Sequence, residues 1–232
     1  MPDAEATAPR ETYTIGVTGS MNPAIHHAQW YRTIGAIDEA QLQAALQNPF
    51  NSTAQFLSQV QFGAPPLTII CQPENWWIQS TDSNSWPRML DVASIVFARL
   101  NETPVTAYGF TAQQHIDTDC PDTKTILGSS LRELRLGLPT GKVTGTNATI
   151  SVVEEDFTVH ASIQASLLSE RAIYVFYQAQ YQAPATPGRY FDLGELLRGR
   201  FNKFRVEHER VFREMVTAVN GRYKIARSHK NE

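Results

Sequence analysis

FDLGELLRGRFNKFRVEHERVFREMVTAVN, residues Phe191 to Asn220, keeps a single helical period for more than five turns. Leu193, Leu197, Phe201, Phe204, Val211, Met215 and Val219 recur mostly at intervals of three, four and seven, and Val206, Phe212 and Val216 widen the stripe. Such intervals place the side chains on one face of a helix. The opposite face carries Arg198, Arg200, Lys203, Arg205, Glu207, Glu209, Arg210, Arg213 and Glu214. Asp192 is a natural N-cap and Gly221 a natural stop. A helix of this length needs a broad apolar surface to lie on, and the remaining sequence supplies it as strands.

The chain has 232 residues, 42% hydrophobic and 19% charged, which suffices for a sizeable core and excludes wholesale disorder. Its formal net charge of −3 argues against broad, non-specific nucleic-acid binding. Two cysteines, Cys71 and Cys120, are too few for a disulfide scaffold and fit a reducing compartment. Neither a secretory pattern at the start nor a run long enough to span a membrane is legible, so the expectation is a soluble, cytoplasmic protein with no membrane partner.

Residues 1–11 read as a disordered tail and 221–232 as a basic, frayed one. Between them, 12–220 reads as one α+β domain. Strands are expected at Tyr13–Val17, Trp30–Ile34, Gln55–Phe62, Leu67–Gln72, Asn75–Ser80 and Pro104–Gln113. Further ones follow at Leu134–Leu138, Thr149–Glu154, Phe157–Leu167 and Ala172–Gln180. A short helix at Glu39–Gln47 starts from Asp38, and a second long one runs over about 86–100. The polar segment from His115 to Ser130 reads as a long loop. Two halves, 12–115 and 130–220, share the order of a strand meander followed by a helix. Together these elements predict an antiparallel sheet with both long helices on one face.

The TPV-x-A-Y-G strand at Thr103–Gly109, with Asp192, Leu196, Leu197, His208, Phe212 and Thr217 on the long helix, resembles a sporadic prokaryotic family of small α+β proteins. The resemblance implies a fold and no chemistry.

Candidate functional residues fall into three groups. Trp76, Trp77 and Trp86 lie at a strand and a helix start. Neighbouring side chains on a strand point to opposite faces, so one tryptophan of the first pair could serve as a partner anchor, though the preferred reading has both covered, one by the helix and one by the Trp86 loop. His115, Asp117 and Asp119 alternate and could offer mixed nitrogen and oxygen ligands to a divalent cation, but with no second ligand cluster a solvated polar loop is the preferred reading. Arg198, Lys203, Arg205 and Arg213 could form a nucleic-acid patch, but interleaved glutamates make an ordinary solvated helix face. His26 and His27 could supply a base or a ligand but point opposite ways on an extended chain and do not act as one unit, and His160 and His208 read as packing histidines. No nucleophile elbow or phosphate loop is present in the sequence, and no cofactor is implied. The expected function is a non-enzymatic interaction protein, binding other subunits or itself. The alternatives are a small-ligand or hydrolytic domain with a pocket between sheet and helix, and a nucleic-acid accessory.

Overall fold

The computed structural model describes residues 10–133, 147–184 and 191–228. Nine strands form one antiparallel sheet. They are β1 (Glu11–Gly19), β2 (Ser52–Thr53), β3 (Ser58–Phe62), β4 (Leu67–Cys71), β5 (Asn75–Ser80), β6 (Val105–Asp117), β7 (Asn147–Val153), β8 (Phe157–Ala165) and β9 (Ala172–Gln182). Among the described residues five α-helices accompany them: α1 (Ala28–Thr33), α2 (Glu39–Gln47), α3 (Trp86–Arg99), α4 (Thr123–Glu133) and α5 (Leu193–Ser228). The class is α+β.

Across the sheet the order is β2-β3-β4-β5-β1-β6-β9-β8-β7. Read from either side toward the middle, the strands run β3-β4-β5-β1 and β7-β8-β9-β6, so β1 and β6 pair at the centre. After β1 the chain runs through α1, α2, the four-strand meander β2–β5 and α3, and after β6 through α4, the three-strand meander β7–β9 and α5.

Alternation decides which face is covered. Tyr13, Ile15 and Val17 of β1, Trp76 and Ile78 of β5, Phe110 and Ala112 of β6, and Ile173, Val175 and Ala179 of β9 point to the helix side and are buried. Helix α3 presents Met89, Val92, Ala93 and Val96 to this surface, and α5 presents Leu197, Phe204, His208 and Phe212. The two helices cross where Gly194 meets Ser94. A Cβ at Gly194 would lie 2.7 Å from the Ser94 side chain, so only glycine allows this approach. Asp192 caps α5 by accepting the Glu195 amide at 3.0 Å, and Asp38 forms a reciprocal capping box with Gln41 on α2.

Four sequence expectations are corrected. The segment expected as a strand at Trp30–Ile34 is helix α1, because His27 accepts the Trp30 amide as its N-cap. The strand expected from Gln55 begins only at Ser58, and Phe56 is exposed. The expected loop after His115 is instead the end of β6 followed by α4, which Asp122 caps through the Thr125 amide. Helix α5 does not stop at Gly221 but continues to Ser228, so 222–228 are helical rather than frayed. Glycine ends a helix where its backbone turns left-handed; within a helix it costs only about 1 kcal/mol against alanine. The alternating stretch at 134–138 and the tail 1–9 lie outside the described residues. Among the described residues no helix is long and apolar enough to cross a membrane.

Candidate partner-docking surface on the open sheet face

The face of the sheet away from α3 and α5 is built by the other half of each alternation. Hydrogen-bonded registers arrange its side chains in rows across the strands. One row runs Ile70, Trp77, Gly16, Gly109, Gln180 and Thr158 over β4, β5, β1, β6, β9 and β8. The next on one side runs Thr68, Gln79, Thr14, Thr111, Gln178 and His160. On the other, Asn75, Thr18, Ala107 and Gln182 continue the pattern.

Among the described residues, the only Asp, Glu, Lys or Arg on this face of the strands is Asp117, at the far end of β6. Arg10 neutralises it at 3.1 Å. A solvated open sheet ordinarily carries many charges, whereas this one holds amides, hydroxyls and a few aromatic rings. Depletion of charged residues is a compositional trait that interface cores share. The side chains of Gln79, Gln178, Gln180, Thr14 and Thr111 make no hydrogen bond to other described residues. Toward the rim, Tyr174 donates its hydroxyl proton to Gln113 Oε1 at 2.8 Å, and His115 Nδ1 lies 2.7 Å from Ser166 Oγ. Partial burial lowers the His115 pKa, with Arg10 adding to the effect, so its ring adds no charge at neutral pH.

At the centre lies a depression of about 520 Å³ lined by Gly16, Gly109, Trp77, Thr14, Thr111 and Gln180, among others. Its floor is bare backbone, because Gly16 and Gly109 face each other across β1 and β6. The two glycines have different causes. At Gly109 a Cβ would lie 2.3 Å from the Ala179 carbonyl oxygen, so close approach of β9 requires the glycine. At Gly16 a Cβ would meet no atom within 4 Å. Glycine in a strand interior is entropically costly, and packing inside this chain does not explain the one at 16. Gly109→Ala should therefore destabilise by about 1–3 kcal/mol. Gly16→Ala should be neutral or stabilise by up to about 1 kcal/mol. Urea unfolding of the two variants measures the contrast.

The sequence-predicted residues divide sharply. Of the three tryptophans only Trp77 stands on the open face, half-buried beside Gly16; Trp76 and Trp86 are core residues. His115 and Asp117 do share one face of β6, but Asp119 lies past the strand end, its amide donating to Asn220 Oδ1. No group of three metal-ligating side chains occurs among the described residues. On α5, Arg198 pairs with Asp91, Lys203 lies over the Phe157 ring, and Arg205 and Arg213 stand on the helix with Arg210, which bridges Glu207 and Glu214. His208 is buried and stacked on Phe204, which lowers its pKa through desolvation, while His160 Nδ1 lies 2.8 Å from Ser151 Oγ. Both thiols are buried, and burial pushes Cys71 up to about 12, far from a nucleophile's range.

A second concavity, about 610 Å³, lies between α5 and the outer strands. Ile150, Val152, Phe157, Val159, Val211 and Met215 make its walls, and neither His160 nor His208 lines it. The groove lies where the sequence places its alternative pocket, between sheet and helix, whereas sequence reasoning missed Gly16. An isolated glycine at the middle of an alternating strand was the available signal for that residue.

No protein-family model matches the chain, and no curated protein matches it.

Proposed function

We propose that this is a non-enzymatic interaction protein, a subunit of a multiprotein assembly or of a homo-oligomer, that docks its partner on the open face of the sheet. The observation that carries the reading is the depletion of charge on that face over β4, β5, β1, β6, β9 and β8, where Asp117 at the end of β6 is the only Asp, Glu, Lys or Arg among the described residues. Amides and hydroxyls there can both donate and accept, so a protein partner can satisfy them without desolvating an ion. Trp77 and Phe176 supply the aromatic anchors on which such interfaces depend.

A lysine at the middle of the face tests this. Thr111→Lys buries an unpaired ammonium on docking and should weaken the native complex at least about thirtyfold. Val206→Lys, on the exposed side of α5, is the control and should leave it unchanged. The readout is the mass of the species the chain forms in its own cells. An unaltered complex in Thr111→Lys would sink the reading.

The α5 groove favours a second reading, a small apolar ligand held between sheet and helix. Its apolar walls and the exposed Ile150 and Val152 support it. Displacement of a polarity-sensitive dye, lost in Val152→Asp, is the measurement that decides it.

A further inference from the structure

Trp77 and Gly16 are direct partners across β5 and β1, so the largest side chain of the central row stands next to a residue with none. On the far side of Gly16 lies Gly109, which widens the gap to two strands, about 10 Å at ordinary strand spacing. A protrusion and a hollow side by side on one face are complementary to the same pair turned through half a revolution. A twofold axis passing between Trp77 and Gly16 sets each indole over the other copy's glycines and makes two identical contacts. Resting on the docking reading above, we propose that the occupant of the open face is a second copy of this chain, joined by reciprocal insertion of Trp77 into the Gly16–Gly109 hollow.

Three further observations converge on a second copy. Across a twofold axis between β5 and β1 the residues of one strand meet those of the other, so an ion on either would be buried without a counter-charge. This face instead sets Gln79 opposite the other copy's Thr14 and Thr68 opposite its Thr111, side chains that can both donate and accept. Gly16 is unexplained by packing within one chain, since a Cβ there meets nothing within 4 Å. Insertion of the partner's indole explains it, as only bare backbone leaves room for the ring. Finally, six central strands at about 4.8 Å, each covering about 25 Å of length, offer about 700 Å² per copy, close to the roughly 800 Å² that a stable interface buries on each side. Face-to-face packing of twisted sheets at about 10 Å separation accommodates such a contact.

Sedimentation equilibrium of the purified chain at concentrations up to about 100 µM tests the proposal, in a range where an interface of this size associates. The wild type should be a dimer. Trp77→Ala removes the protrusion and Gly16→Val fills the hollow, and each should raise the dimer dissociation constant at least about thirtyfold. Valine suits a strand and meets no neighbour at position 16, so at dilutions where both are monomeric Gly16→Val should keep the wild-type thermal midpoint, separating loss of pairing from loss of folding. A wild type that stays monomeric, or a dimer that persists in Gly16→Val, overturns the second-copy inference. If at the same time Thr111→Lys still abolishes the native complex, the face docks a different protein and only this inference falls. If Thr111→Lys leaves that complex intact, both fall.

Discussion

Trp86→Ala should remove about 3–5 kcal/mol of folding stability, the range expected for a buried tryptophan. Trp86 opens α3 and packs against Tyr13 of β1, Phe110 of β6, and Phe201 and Phe204 of α5, with ring centroids 5.2–6.2 Å apart. It is thus the one ring that ties both central strands to both long helices. Truncation loses the transfer energy of the indole and leaves a void that α3 and α5 cannot close, because Gly194 and Ser94 already hold them at closest approach. Folded domains rarely exceed about 5–15 kcal/mol in total, so the variant should be marginal. Urea unfolding with an unchanged dependence on denaturant is the check, and a loss under about 1 kcal/mol would contradict this account of the core.

Much of this arrangement was legible in the residues. The period of three and four in α5, the alternation in β3–β5 and β8–β9, the Asp38 cap and the α+β class all follow from local chemistry. Other features depend on contacts distant in sequence. Trp76 and Trp77 differ only in strand parity, and parity says that one faces each side without saying which. Trp86 carries no sign of its burial, which comes from α5 arriving more than a hundred residues later. The polar residues after His115 read as a loop because hydroxyls and carboxylates favour turns, whereas pairing of His115, Ile116 and Asp117 with Tyr174, Ile173 and Ala172 keeps the strand going. The open face was invisible as a unit, since its glutamines and threonines are scattered over eight segments and only the registers bring them together.

Acidification should destabilise the fold between pH 6.5 and about 4 through His26, which has no solvent exposure. Its Nδ1 lies 2.8 Å from the Tyr31 hydroxyl, and that oxygen accepts the Trp76 indole N–H at 3.3 Å. Accepting from Trp76, the tyrosine donates to Nδ1, which leaves the imidazole proton on Nε2. Among the described residues Nε2 has no hydrogen-bond partner. Burial without an acceptor, with His27 adjacent, lowers the pKa of His26 from 6.5 to about 4. Above pH 6.5 the ring is neutral whether the chain is folded or not, and its contribution is constant. Below it the unfolded chain takes up a proton that the folded chain refuses, so stability falls with pH until about 4, a loss of about 3 kcal/mol. His115 and His208 are lowered too and act in the same direction. His26→Asn keeps an acceptor toward Tyr31 and cannot titrate. Urea midpoints at pH 7 and pH 4.5 should converge in this variant relative to the wild type, and an identical pH dependence in both proteins would contradict the assignment.

The claim that partners dock on the charge-depleted face is tested most directly at Trp77. Hydroxyl-radical oxidation, read residue by residue by mass spectrometry, compares the assembled protein with the dissociated chain. The account predicts that Trp77 oxidation falls severalfold on assembly while Val206 and Ile225, exposed on α5, react equally in both. Trp77 equally reactive in the two states, with α5 shielded instead, would contradict it.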